Sequence, residues 1–249
     1  MFIPPGDGGT PPAGGYPVMV FCNGLDSMKE MLVRLGLPRE LARRGIATLC
    51  VDQPGTGASL RERAMPAIHD SERWASAAVD YLETRNDVDA SRIGMSGVSL
   101  GGYYAPRATA FEKRFKLCAV WGGANYNWGE LQKRRLQREG ENPRAPLLGS
   151  RPVGLRQGLA RGVHGLRAED DPRRRRRQDH GALPRHPRGR TIGRSPMEFA
   201  VPPEYENAIN SPDRHFKIFS RAEGGSSHAG ADNEAVPANY IADWVADRL

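Results

Sequence analysis

The sequence predicts an α/β fold, a doubly wound and mostly parallel sheet with helices on both faces. Three observations carry that expectation. Short apolar runs alternate with stretches of helical spacing from residue 18 onward, the pattern of successive βαβ units. A Gly-x-Ser-x-Gly motif, Gly97-Val98-Ser99-Leu100-Gly101, stands between one such run and one such helix. The 249 residues are enough for one α/β domain with a sizeable core, so 1–249 reads as a single domain.

Residues 1–16 are rich in Gly and Pro and read as a loop. Residues 18–22 (Val-Met-Val-Phe-Cys) are a buried strand, and 27–44 are helical with Pro38 as a break. A second strand, 46–51, ends at Asp52-Gln-Pro-Gly-Thr-Gly, which is turn chemistry. Residues 69–85 carry Trp74, Ala78, Tyr81 and Leu82 at helical spacing. A third strand at 92–96 precedes the motif, a helix at 101–111 follows it, and 117–121 form the next strand. From Gly129 to Glu198 there is no aromatic residue. Pattern returns near Met197, with a helix at 204–210, a strand at 215–219 and an amphipathic helix at 236–249.

The net charge of +7 invites a nucleic-acid reading, but residues 144–194 alone carry 14 Arg against Glu169, Asp170, Asp171 and Asp179, a local +10. The rest of the chain sums to −3, so no nucleic-acid partner is expected. No apolar run approaches the roughly 18 residues of a membrane span. The first residues lack the basic and apolar regions of a secretory signal. Cys22, Cys50 and Cys118 each sit in a β-like run without motif spacing. They read as buried reduced thiols of a cytoplasmic protein, acting as small core hydrophobes.

The motif carries the chemistry. A serine on a tight strand-to-helix turn takes a strained backbone conformation, and the flanking glycines avoid clashes there. Its hydroxyl is lifted above the sheet, where amides at the helix N-terminus face a developing oxyanion. Ser99 is therefore the candidate nucleophile. The backbone N–H groups of Leu100 and of Leu25, in the loop after the first strand, are the candidate oxyanion donors. For Leu25, a plain turn residue is the competing reading. The general base belongs late in the chain. His228 lies in a glycine-rich loop, Glu223-Gly-Gly-Ser-Ser-His-Ala-Gly-Ala-Asp232, between the last strand and the last helix. Imidazole suits the task because it titrates near neutral pH.

Four stretches resemble one α/β-hydrolase group. They are 21–30, Gly97-Val-Ser-Leu-Gly-Gly-Tyr-Tyr-Ala-Pro-Arg107, Val120-Trp-Gly-Gly-Ala-Asn-Tyr-Asn-Trp-Gly-Glu130 and 223–232. The group contains 2,6-dihydroxypseudooxynicotine hydrolase and the fermentation–respiration-switch-like and dipeptidyl-aminopeptidase-like hydrolases. The resemblance covers about residues 16–143 and 196–249. It implies the α/β-hydrolase fold and a Ser–Asp–His triad, with Ser99 and His228 as two members. Glu130 matches a glutamate that assists C–C cleavage beside a ketone, and reads equally as an exposed acid opening a helix. No cofactor and no metal is implied. A small-molecule substrate is the expected partner, and a homodimer is the one assembly left open.

The resemblance also implies two departures. Members carry a helical region and early strands ahead of the strand matched by 18–22, so an N-terminally truncated fold is expected. Their acid follows a strand of the type V-P-F-L-V-T-H-G-x-x-D-R-Q-I-P, whereas this chain has Leu183-Pro-Arg-His-Pro-Arg-Gly-Arg-Thr-Ile-Gly-Arg-Ser-Pro196, with no aspartate at the matching place, so the triad's acid is expected to be missing and the protein as written to be a poor or inactive hydrolase. The genetic code offers an account. Codons chosen for Asp170 to His186 can be read one base later as M-T-L-D-G-V-V-D-K-I-T-V-P-F-L-V. Codons for Arg190 to Pro196 can be read from their third base as N-D-R-Q-I-P. A shifted reading frame across 144–194 is the favoured expectation, and a genuine Arg-rich insertion is the alternative. On either account the strand before the acid loop should be missing, because prolines and arginines replace it and proline removes ladder donors. An inactive remnant or an Arg-rich binding protein are the competing functions.

Overall fold

The computed structural model describes residue 1, residues 3–4 and 10–122, the backbone of 190–194, and residues 211–249. Every residue of strand β1 (Tyr16–Cys22) is buried, and the alternation of its side chains explains why. Val18, Val20 and Cys22 join one core cluster, while Met19 and Phe21 join a second. A strand covered on both faces reads as a continuous apolar run rather than an alternating one.

Around β1 the chain forms α1 (Lys29–Arg34), α2 (Leu37–Ala42), β2 (Ala47–Val51), α3 (Gly57–Arg61), α4 (Glu72–Glu83), β3 (Val88–Val98), α5 (Gly101–Phe111) and β4 (Phe115–Trp121). Strands β5 (Arg190–Arg194) and β6 (His215–Ile218) and helix α6 (Ala235–Ala246) follow. Among the described residues the sheet has the order β2-β1-β3-β4-β5-β6, and every neighbouring pair is parallel. Helices α4 and α5 supply Ala75, Val79, Leu82, Tyr104, Ala105 and Ala108 to the first core cluster. Helices α1, α2 and α6 cover the other face with Leu32, Leu37, Leu41, Ile241 and Val245. This is the doubly wound α/β architecture that the alternation predicts.

The order of strands places the site. The chain runs outward from β1 to β2 and then returns across β1 to form β3. Ligands bind outside the carboxyl ends of strands where such an order reverses. Here those ends are adjacent, with Cys22 in register with Gly97.

The structure corrects two expectations and bears out the turn after β2. The helical stretch 27–44 is two helices, and its break falls at Gly36, which has φ 84. Pro38 lies in the first turn of α2, where a missing amide has no intrahelical acceptor to lose. The turn after β2 continues directly into α3. Most important, the sheet has no gap between β4 and β6. Arg190–Arg194 pairs with both, placing Cys118 opposite Arg190 and Thr191 opposite His215. A ladder bonds through backbone groups, and Arg-Thr-Ile-Gly-Arg holds no proline to remove a donor. The rest of the 144–194 segment and the predicted helix at 204–210 lie outside the described residues. Among the described residues no helix is long and apolar enough to cross a membrane.

Candidate active site

The turn from β3 to α5 is built by its glycines. Ser99 has φ 54, a left-handed conformation that L residues with a Cβ rarely adopt. A Cβ on Gly97 would stand 2.2 Å from the Gly101 carbonyl oxygen, and one on Gly101 would stand 2.8 Å from that of Cys22. Neither position admits a side chain, which is the physical content of the motif. The Ser99 amide donates to the Trp121 carbonyl at 3.0 Å, tying the turn to the end of β4. The Ser99 carbonyl accepts from Gly102 at 2.9 Å. Ser99 is half-buried.

His228 meets it. Its Nε2 lies 2.7 Å from Ser99 Oγ, across 129 residues of sequence. The loop that carries His228 is held by hydrogen bonds. Ser220 and Glu223 form a reciprocal cap at its start, and Lys217 Nζ bonds Glu223 at 2.7 Å. Lys217, with the Ser220 amide, pulls the Glu223 carboxyl down to about 2. Asp232 accepts from the Ser226 and Ser227 amides at 3.0 and 3.2 Å. Ala229, directly after the histidine, has φ 53, and Gly122 at the end of β4 has φ 59. A Cβ on Gly122 would fall 2.7 Å from Ala229 Cα. The end of β4 thus supports both the serine turn and the histidine loop.

The two candidate oxyanion donors belong to segments that adjoin Ser99. Leu100 caps α5 immediately after Ser99. The loop from β1 passes over the serine so closely that a Cβ on Gly24 would lie 2.9 Å from Ser99 Cβ and 3.3 Å from Oγ. Leu25 is the next residue of that loop. Glu130 lies outside the described residues.

The thiols are packing groups. Cys22 and Cys118 are buried, Cys50 is half-buried, and none of the three is in a disulfide. Burial pushes the Cys22 thiol well up and that of Cys50 up to about 12, so the nucleophilic thiolate is suppressed. Cys22 sits under the turn, with Sγ 3.7 Å from the Gly101 carbonyl oxygen. Among the described residues no group of three or more His, Cys, Asp and Glu is arranged to hold a metal ion.

Sequence reasoning passed over Asp52 and Gln53, reading them as turn residues. Both bond the loop that carries Leu25. The available signal was their position, just past a parallel strand at the carboxyl edge of the sheet.

The family model described as the alpha/beta hydrolase family matches residues 19–242. The chain belongs to that family. Among curated relatives of this α/β hydrolase, the 2,6-dihydropseudooxynicotine hydrolase of Paenarthrobacter nicotinovorans is 34% identical over 110 residues, 44% of this chain and 29% of the relative. Hydrolase pyiE of Pyricularia grisea is 36% identical over 124 residues, 47% of this chain and 26% of the relative. The matched stretch is thus under a third of the length of either. Two solved structures share the fold. One is the 2,6-dihydroxy-pseudo-oxynicotine hydrolase (TM-score 0.64, 24% identity, 99% of this chain and 63% of that one). The other is Est1E from Butyrivibrio proteoclasticus with ferulic acid bound (TM-score 0.59, 18% identity, 94% of this chain and 90% of that one).

Proposed function

We propose that this α/β hydrolase cleaves an acyl bond of a small molecule, an ester or a C–C bond beside a ketone, with Ser99 as nucleophile and His228 as general base. The observation that carries the reading is the 2.7 Å contact between His228 Nε2 and Ser99 Oγ, formed by a serine held at φ 54. Ser99 Oγ attacks the acyl carbon while its proton passes to His228 Nε2. The carbonyl oxygen takes the negative charge and lies against the Leu25 and Leu100 amides. Collapse of the adduct expels the leaving group, which takes the proton from His228. Water then attacks the acyl-enzyme, gives its proton to His228, and releases the acid as the Ser99 hydroxyl re-forms.

Family membership and the shared fold with a ferulic-acid-binding protein and a nicotine-derivative hydrolase support a small-molecule substrate. The Arg-rich run carries no nucleic-acid function on this reading. The aspartate of the family pattern belongs to the 144–194 segment, which we read as translated in a shifted frame. Resequencing the gene across those codons tests that point, and an unchanged sequence from genomic DNA would overturn it.

The decisive experiment for the mechanism is fluorophosphonate labelling of the purified protein with the family frame restored across 144–194. A single adduct at Ser99 is expected, absent from Ser99→Ala. Undiminished labelling of that variant would sink the assignment.

A further inference from the structure

We infer that the Asp52–Gln53 turn after β2 is the positioning element that fixes the Leu25 amide over Ser99, an inference that rests on the oxyanion role proposed for Leu25. The loop from Asn23 to Lys29 is pinned at both of its ends. At the first end the Gln53 side-chain amide binds both backbone groups of Asn23. Gln53 Oε1 accepts from Asn23 N at 3.0 Å, and Gln53 Nε2 donates to Asn23 O at 2.8 Å. The Asn23 side chain adds donations from Nδ2 to the Val51 carbonyl at 2.8 Å and to Asp52 Oδ1 at 3.1 Å. At the other end Asp52 Oδ1 accepts from the Lys29 amide at 2.7 Å, and Oδ2 pairs with Lys29 Nζ at 3.1 Å. The Gly57 amide donates to the Ser27 carbonyl at 3.0 Å. Gly24, Leu25 and Asp26 are suspended between these anchors.

The anchors are themselves immobile. Gln53 is 2% and Asn23 0% exposed, and the Asp52 side chain is 7% exposed. Asp52 also accepts from the Ala58 amide at 3.0 Å, and a Cβ on Gly57 would lie 2.1 Å from its carboxyl group. A donor is worth most to a developing oxyanion when it needs no reorganisation. Fixing both ends of a short loop against a buried carboxylate and a buried amide supplies that rigidity. Gly24 transmits it, since the loop touches Ser99 at this residue.

The test uses the full-length protein with the family frame restored across 144–194, with Gln53→Met and Asp52→Asn as variants. Fluorophosphonate titration counts competent Ser99 sites. Turnover of p-nitrophenyl esters is then expressed per titrated site, and inhibition by phenylboronic acid reports a tetrahedral adduct. For Gln53→Met the expected result is a fall of about 10- to 100-fold in kcat per titrated site, the range that misplacing one donor produces. KM should stay within about 2-fold, as for a group acting only in the transition state, and boronate affinity should fall in parallel with kcat. Asp52→Asn should act in the same direction. Lys29→Met keeps the backbone bond to Asp52 and should lose under about 3-fold, as befits an exposed ammonium. A purely structural role would lower the titrated fraction and the melting temperature while leaving kcat per site unchanged, and that result overturns the inference. Absence of wild-type labelling at Ser99 would instead remove the proposed mechanism, and this role with it.

Discussion

Strands β1 and β6 belong to one parallel sheet and are held in it by different means. All of β1 is buried, and its side chains are divided between two core clusters. In β6, His215 and Ile218 are exposed while Phe216 and Lys217 are half-buried. The serine turn grows from the strands packed like β1, and the histidine loop grows from β6. Apolar packing therefore sets the position of Ser99. Among the described residues, the loop of His228 is held by hydrogen bonds, by the close approach of Ala229 to Gly122 and by the burial of Ala229 in the second cluster. The two halves of the site should fail in different ways.

The largest expected effect is chemical. In the protein with the family frame restored across 144–194, Ser99→Ala or His228→Ala should lower ester turnover by ~10⁴-fold or more, with melting temperature little changed. Next comes the join between the halves. Gly122→Ala puts a Cβ 2.7 Å from Ala229 Cα, at a φ of 59 that alanine rarely adopts. It should cut kcat/KM by about 10- to 100-fold by displacing the histidine loop. Titrated slowly with fluorophosphonate, the variant should still label Ser99 to completion. Equal kcat/KM in variant and wild type would mean that the loop is held elsewhere.

The comparison of the strands themselves is sharpened by two truncations. Phe21→Ala removes a fully buried ring from β1 and should cost about 3–5 kcal/mol in denaturant unfolding. Ile218→Ala in β6, where the side chain is 50% exposed, should stay within about 0.5 kcal/mol. Similar losses at both sites would erase the distinction between a packed and a ladder-held strand.

A further test is a pH dependence on the packed side. Arg114, aided by Ser76, pulls the Glu112 carboxyl from its ordinary 4.5 to about 2. A depressed folded-state pKa adds stability that is fully present above the unfolded value and is lost as pH falls toward the folded one. Melting temperatures of wild type and Glu112→Gln should differ most above pH 4.5 and converge as pH approaches 2. A gap that persists at low pH would show that Glu112 contributes through packing rather than charge.

What could be read from the sequence follows the same division. The strands at 18–22 and 117–121 announce themselves, because burial on both faces leaves unbroken apolar runs, and those at 46–51 and 92–96 and the helix at 101–111 are legible by their alternation with turn and helix signals. The nucleophile turn is legible because only glycine survives at positions 97 and 101. Strand β5 is illegible, since Arg-Thr-Ile-Gly-Arg shows no apolar pattern and its pairing is a backbone matter. His228 was found by its place after the last strand rather than by any local signal. Asp52 and Gln53 were missed because their partners lie 23 to 30 residues away, and hydrogen-bond networks leave no periodicity.

Helix α6 has a consequence for how the protein is made. Its Ile241, Ala242 and Val245 complete a face begun by Phe21, Leu32 and Leu37, and the Arg34–Glu234 pair that joins the two ends spans 200 residues. At ordinary synthesis rates that interval lasts roughly 10–40 s. Throughout it the face begun by Phe21, Leu32 and Leu37 lacks the side chains that α6 lays against it, so this cluster closes only when the last helix has been made.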